Sequence, residues 1–409
     1  MKNKMLFLSV VAATGMMAAN SVSALPFSSF DPRSFAMGGV GVAAGTSANA
    51  VFFNPALLAA ANEEEDFSVE FPIFGVRAAD PDDFVDAVDT VSANDSMTAF
   101  SNAVTTYQGS PTSGNATLVQ SAATLLTADL NSLSQKSVQL EGDVAFVVGV
   151  PSKKFGISIY GNAWGVGGAV ADVTSTDLSA ITTTVTTALA LGAVTDPTTT
   201  FTSTVSARFA TITEVGVAIA RDFDGIAVGI TPKYLEVTTN NYKFTGSEID
   251  GADIDRSSGE KSESDMNIDI GVAKDYSNGW KVGLAIKNLI SKEYEMVDTP
   301  DKLTIDPMAR IGVMHETSWS TIALDVDLTE NDPGGFEDKT QYAALGMEMD
   351  IFDTAQLRVG LRHNMSDTTF KADTVSAGIG LSPFGVHLDI SAMGNSDEVG
   401  AAMQLGFRF

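Results

Sequence analysis

Val399-Gly400-Ala401-Ala402-Met403-Gln404-Leu405-Gly406-Phe407-Arg408-Phe409, the last stretch of the chain, decides the fold. Its apolar side chains fall on every second position: Val399, Ala401, Met403, Leu405, Phe407 and Phe409. Gly400, Ala402, Gln404, Gly406 and Arg408 hold the positions between. A period of two, with one greasy face and one polar or very small face, is a strand that meets hydrocarbon on one side and a wet interior on the other. A soluble sandwich strand alternates in the same way, so this stretch alone leaves two architectures open.

The segments upstream choose between them. Val386, Leu388 and Ile390 alternate with His387, Asp389 and Ser391, and Leu357, Val359 and Leu361 alternate with Arg358, Gly360 and Arg362. Val282, Leu284 and Ile286 repeat the pattern against Lys281, Gly283 and Ala285. The connections also alternate in kind. Short turns stand at 151–154, 223–225, 277–279, 316–318, 350–354 and 382–385; longer or more polar stretches stand at 78–136, 171–202, 240–263, 291–302, 328–338, 366–370 and 394–397. Short turns on one rim and long loops on the other are the asymmetry of an outer-membrane barrel. The pattern predicts strands near 66–77, 137–150, 155–170, 203–222, 226–239, 264–276, 280–290, 303–316, 319–327, 339–350, 355–365, 371–381, 386–393 and 398–409. That is an all-β, transmembrane, antiparallel β-barrel of about 14 strands over residues 66–409, most of the strands long enough for the roughly 9–11 residues a crossing needs.

Composition narrows the chemistry. The chain has 409 residues, 51 Asp and Glu against 24 Lys and Arg, and no cysteine. Disulfides, thiol catalysis and zinc knuckles are therefore excluded. A net charge of −27 with no basic cluster argues against a nucleic-acid partner. His315, His363 and His387 are scattered and no GxSxG elbow occurs, so no catalytic residue, metal ligand or cofactor is assigned and an enzyme is not expected. Asp250, Asp253 and Asp255 resemble a calcium loop until Ser258 and Ser264 are found where glycine and glutamate are needed. Lys2 and Lys4, the apolar run Met5 to Ala19, and Val22-Ser23-Ala24 read as a secretory signal peptide, residues 1–24.

Two long insertions interrupt the strand rhythm. Residues 80–136 carry apolar residues at helical spacing (Phe84, Val85, Val88, Val91, and later Leu118, Ala122, Leu125, Leu126, Leu130, Leu133), and 171–202 a further helical stretch around Leu178 to Leu191. Partly helical extracellular insertions follow, which either shield the barrel rim or use their apolar faces to gate or collect a ligand.

Residues 25–65 precede the first strand and contain Gly39, Gly41 and Gly45, then Phe52-Phe53-Asn54-Pro55-Ala56-Leu57. The glycine spacing is not GxGxxG. Asn54 before Pro55 is an N-cap followed by the first helical position. A small-residue stretch leading into Phe-Phe-Asn-Pro-Ala-Leu just after a signal peptide resembles the N-terminal hatch, or plug, of the FadL superfamily of outer-membrane channels. The opening Leu25-Pro-Phe-Ser-Ser-Phe-Asp-Pro-Arg-Ser and the terminal phenylalanine are more similar to a TraF-like conjugal transfer branch, distinct from the thioredoxin-like proteins that share its name.

The resemblance implies a plug inside a fourteen-stranded barrel and passive uptake of hydrophobic or amphipathic, fatty-acid-like molecules. It implies ligand contacts at Phe52, Phe53, Asn54, Pro55, Ala56 and Leu57, and lateral exit into the bilayer at the third strand. Gly161, Gly165, Gly167 and Gly168 there are candidates for the opening, or simply room-making glycines. Arg358 and Arg362 either meet a carboxylate head group or pair with Glu348 and Asp389 across the lumen. Phe407 and Phe409 resemble the signal read by the barrel-assembly machinery. Membrane lipid, a hydrophobic ligand and an envelope-protein partner are the expected companions; the alternative function is a structural or interaction protein serving conjugation or cell contact.

Overall fold

Alternating side chains become a wall once each strand finds two neighbours. The computed structural model describes residues 30–60, 67–245, 260–276, 278–297, 302–331, 339–352, 354–366 and 373–408. The signal segment 1–24, the acidic positions Asp250, Asp253 and Asp255, and Phe409 lie outside them. The barrel strands are β1 (Ser68–Ala79), β2 (Ser137–Val150), β3 (Gly156–Asp172), β4 (Thr204–Phe223), β5 (Ile226–Thr245), β6 (Glu260–Asp275) and β7 (Trp280–Lys287). They continue as β10 (Met308–Glu316), β11 (Ser320–Asp327), β12 (Tyr342–Ile351), β13 (Ala355–Asn364), β14 (Thr374–Leu381), β15 (Val386–Gly394) and β16 (Glu398–Arg408). These fourteen close antiparallel on themselves, with β1 paired to both β2 and β16 and β7 paired directly to β10. Closure removes the unpaired edges an open sheet would expose to lipid. Val399, Met403 and Phe407 of β16 point outward and are exposed, while Glu398, Ala402 and Gln404 point inward and are buried. The same outward apolar face appears at Val148, Ile159, Val228, Leu284, Leu324 and Leu357, which is the surface hydrocarbon solvates. No described helix is long and apolar enough to cross a membrane.

Two strands and one loop of the sequence reading are corrected. The segment 303–316 is not a single barrel strand: Asp306-Pro307 interrupts it, because Pro307 has no N–H for a ladder. The first half, β9 (Lys302–Ile305), pairs with β8 (Lys292–Glu295) in a separate hairpin, and only the second half joins the barrel as β10. The segment 280–290 likewise stops at Lys287, where Asn288 turns the chain with φ 54°. The described part of the stretch 291–302, expected as a long loop, carries β8 and the start of β9 into the lumen. Tyr294, Met296, Leu303 and Ile305 pack on the inward faces of Val166, Ile212, Leu235 and Val237 from β3, β4 and β5. The hairpin backbone is held by Thr239 Oγ1 donating to the Glu295 carbonyl at 3.1 Å and by Asn241 Nδ2 donating to that of Val297 at 3.1 Å.

A bulge in β1 sets which face its charges take. The register shifts between Glu70 and Ile73 against both neighbours. Glu70 is inward before the shift and Arg77 after it, an even position and an odd one, because one extra residue exchanges the two faces of a strand.

The long insertion 80–136 forms three helices, α3 (Phe84–Asn94), α4 (Ser96–Gly109) and α5 (Ser113–Leu133), and 171–202 contains α6 (Ser175–Leu189). Phe100, Val104, Tyr107, Val119, Leu126 and Ile181 pack together, so the apolar faces are spent on one another. Leu118 and Leu125, taken as part of the α5 apolar face, are exposed; Ala116, Val119, Ala123, Leu126 and Leu130 are the buried stripe. Phe84 rests on Val138, Ala169 and Ala171 at the outer surface of β2 and β3. Asp177, near the start of α6, accepts from Thr202 N–H and Ser203 N–H. Burial pushes its carboxyl up, but these bonds and the Ser203 hydroxyl hold it below the usual range.

Candidate functional site: the hatch and the cleft above it

Residues 30–60 fill the lumen as a hatch. Its first element, α1 (Pro32–Ala36), starts with Asp31 Oδ1 accepting from Ser34 N–H at 2.8 Å and with proline at the first helical position. Burial pushes the Asp31 carboxyl up, against the pull of that hydrogen bond. The second, α2 (Ala50–Phe53), leads into a 3-10 turn, Pro55–Leu58, capped by Asn54. Asn54 is fully buried: Oδ1 accepts from Ala56 N–H at 3.1 Å, and Nδ2 donates to the carbonyls of Val42 at 2.9 Å and Val272 at 3.1 Å. One side chain therefore closes the turn and ties two hatch segments to β6.

Further hydrogen bonds fasten the hatch to β7, β11, β12 and β14. Asp325 of β11 accepts from Gly41 N–H and Val42 N–H at 2.8 and 2.9 Å, Ser376 of β14 accepts from Gly38 N–H at 2.9 Å, and Lys287 of β7 donates to the Phe52 carbonyl at 3.3 Å. Arg33 reaches Glu348 of β12 with two hydrogen bonds of 2.7 and 2.9 Å. At several other places where the hatch packs against the wall, the wall residue is a glycine. A β-carbon at Gly229, Gly283, Gly346 or Gly360 would run into hatch backbone at Pro55, Val42 or Met37, and one at Gly75 or Gly400 into the rings of Phe30 or Phe35. These inward glycines form a girdle on which the plug seats.

A small cleft lies against the hatch. Phe30, Phe35, Gly38 and Gly39 bring the hatch to it; Arg77, Glu141, Arg310, Tyr342, Arg362 and Met393 are among its wall residues. Phe30 and Phe35 stack at 5.5 Å. The arginines are engaged. Arg77 bridges Glu141 at 2.7 Å and Glu398 at 2.6 Å, Arg310 meets Asp327 at 2.6 Å, and Arg362 meets Glu398 at 3.1 Å while lying 4.5 Å over the Tyr342 ring. Burying a guanidinium costs it its hydration, and the paired carboxylates offset that cost.

The predicted site residues are distributed as follows. Phe52, Phe53, Asn54, Pro55, Ala56 and Leu57 are buried between the hatch and the wall, with Phe52 edge-on to Tyr160 at 5.9 Å, and none of them lines the cleft. Arg358 pairs with Glu348 at 2.6 Å and with Asp389, whereas Arg362 takes Glu398 and Tyr342 and faces the cleft. Gly161, Gly165, Gly167 and Gly168 sit on β3, which is paired in unbroken register to β2 from Ser137 to Val150 and to β4 from Thr204 to Ala220. The wall is closed there in this conformation. A β-carbon at Gly161 would meet the outward Phe146 ring, so this glycine makes room on the lipid side. Phe407 is on the outer face. The histidines lie apart, His315 against Trp280, His363 beside Asp373 and His387 at 2.6 Å from Glu70. Among the described residues no cluster of acidic and histidine side chains could hold a metal.

Phe30, Phe35, Arg77, Arg310 and Tyr342 were not singled out from sequence. Arg77 carries a usable signal, an arginine inside an apolar strand, but the β1 bulge decides its face.

No curated protein sequence matches the chain. Among solved structures, the "CymD monoaromatic hydrocarbon channel" is similar with a TM-score of 0.54 at 9% identity, covering 92% of this chain and 97% of that one. The toluene transporter TbuX of Ralstonia pickettii is similar with a TM-score of 0.51 at 11% identity, covering 92% and 98%. At such identities the likeness is one of fold, a closed β-barrel of the kind expected from the strand pattern. The family model described as "F plasmid transfer operon, TraF, protein" matches residues 51–327, from the hatch helix α2 to the end of β11, and the chain belongs to that family.

Proposed function

We propose that the protein is a passive outer-membrane channel for small hydrophobic or amphipathic molecules, which enter from the long-loop side through the cleft above the hatch. The observation that carries this reading is the cleft itself. Stacked Phe30 and Phe35 and the thioether of Met393 offer an apolar surface directly on the plug, in a fold shared with channels whose names describe hydrocarbon and toluene transport. Apolar concavity with a few fixed polar groups is the general form of a small-molecule site. The test is uptake of labelled toluene and of a labelled long-chain fatty acid by cells with and without the protein. Met393→Trp, which fills the cleft, is expected to lower uptake at least about fivefold while the barrel stays heat-modifiable. Unchanged uptake in that variant would remove the cleft from the route.

The lateral exit at the third strand belongs to the same proposal. It requires part of the ladder joining β3 to its neighbours to open past Gly161, Gly165, Gly167 and Gly168. Gly165→Leu with Gly167→Leu should block uptake without blocking assembly; uptake at the parental rate would discard this exit.

A second reading has its own support. The family description refers to plasmid transfer, and hatch and hairpin together fill much of the lumen. A structural or interaction protein serving conjugation predicts that deletion lowers mating frequency while uptake of both compounds is unaltered.

A further inference from the structure

Two hydrogen-bond donors in the lumen have no use in the architecture described so far. Trp164 of β3 is paired with Ile212 of β4 and, like it, faces inward. It packs on both sides. One neighbour is the hairpin cluster of Tyr294, Met296 and Leu303; the other is Phe30, Phe35 and Met393, which line the cleft. Trp164 therefore stands where the cleft's apolar wall meets the inward hairpin. Its Nε1 is buried and has no acceptor among the described residues. Tyr294, only 1% exposed, likewise has a hydroxyl without a partner among them. Buried tryptophan and tyrosine normally find a partner for N–H and O–H, and a donor left unmade costs about 1–3 kcal/mol.

We infer that this junction binds an uncharged hydrophobic molecule carrying a hydrogen-bond acceptor, an aryl ketone or ester in chemical class, held by Trp164 Nε1–H and Tyr294 O–H. The inference rests on the channel reading above and names the ligand class for it. An indole N–H only donates, so what complements both groups is an acceptor. Charge decides the rest. Glu214, Glu263, Asp265 and Asp269 stand on the inward faces of β4 and β6 around the hairpin and already hold the lysines there, Lys233 bridging Glu214 and Asp269 at 3.2 and 3.1 Å and Lys292 meeting Asp265 at 3.1 Å, and the cleft arginines Arg77, Arg310 and Arg362 are each paired with carboxylates. An anionic ligand would meet acidic neighbours and no uncommitted cation of the cleft, whereas a carbonyl oxygen meets two donors.

The experiment compares three molecules of nearly the same size: ethylbenzene, acetophenone and benzoate at neutral pH. Each is equilibrated by dialysis against the full-length barrel in detergent, with empty micelles as the control. Acetophenone should bind at least about tenfold more tightly than either of the others. Trp164→Phe and Tyr294→Phe should each lower acetophenone affinity about three- to tenfold and leave the acetophenone-to-ethylbenzene ratio closer to one, with ethylbenzene binding scarcely changed by Tyr294→Phe. Equal binding of ethylbenzene and acetophenone overturns the inference and leaves the channel reading standing, the donors then being satisfied by water. A preference that survives both variants, or a preference for benzoate, also overturns it. Binding of none of the three overturns the channel reading together with the inference.

Discussion

Gly360→Val is expected to give a barrel that cannot seat its plug. Gly360 of β13 lies directly against the backbone of Met37 and Gly38, and a β-carbon there would overlap both. Neither neighbour can rotate away, because they are main-chain atoms of a turn fixed from the other side. Gly38 has φ +77°, its own missing β-carbon would stand 2.5 Å from the Leu361 carbonyl oxygen, and its N–H is bonded to Ser376. Overpacking a core ordinarily costs about 1–3 kcal/mol through displaced side chains, and a collision between two backbones has no such relief. Outer-membrane preparations of the variant should contain at least about tenfold less heat-modifiable protein, or a folded barrel whose residues 30–60 are cut by added protease. Gly109→Val is the control, since nothing lies within 4 Å of a β-carbon there. A Gly360→Val barrel with a protected hatch and parental yield would show that the girdle does not seat the plug.

Arg77→Met should unfold at markedly lower denaturant than the parent. The guanidinium sits between Glu141 and Glu398 with all three side chains no more than 7% exposed, so its removal leaves two acids without their shared cation. Breaking a buried ion pair by deleting one partner costs about 3–5 kcal/mol, a factor of hundreds to thousands in the folded fraction. Glu398 retains Arg362, which limits the damage on that side. Arg77→Lys should fall between the two, because one ammonium cannot present the planar fork that spans both carboxylates. Adding Glu141→Gln and Glu398→Gln to Arg77→Met should recover part of the loss. The measurement is the urea midpoint of heat-modifiability in detergent, and an Arg77→Met midpoint equal to the parent's would mean the bridge is not what stabilises this part of the lumen.

Both predictions concern residues whose importance depends on what faces them. Neither Gly360 nor Arg77 shows in its own strand what it will face: a glycine between Val359 and Leu361, and an arginine between Val76 and Ala78. The hatch motif was readable as a helix start because Asn54 and Pro55 act within their own turn, and Asn54 does cap it. What was not readable is that the Asn54 amide also reaches Val272, or that Phe52 packs on Tyr160 instead of a ligand space, since those partners are far away in the chain. The cleft was missed for the same reason. It joins Phe30 and Phe35 of the hatch to Arg77, Arg310, Tyr342, Arg362 and Met393, which come from separate strands around the barrel.

By itself, then, the sequence determined the strand pattern, the number of barrel strands, the alternation of short turns with long loops, and the helical character of the two insertions. All of these follow from side-chain periodicity and turn chemistry within a few residues of one another. Only the tertiary structure decided that β8 and β9 pair inside the lumen, that the β1 bulge points Arg77 into it, and that inward glycines carry the plug. The physical reason is closure. Which residue meets which across the lumen is set by the register of every ladder at once and by the volume the hatch leaves unfilled, and neither quantity is written in any single strand.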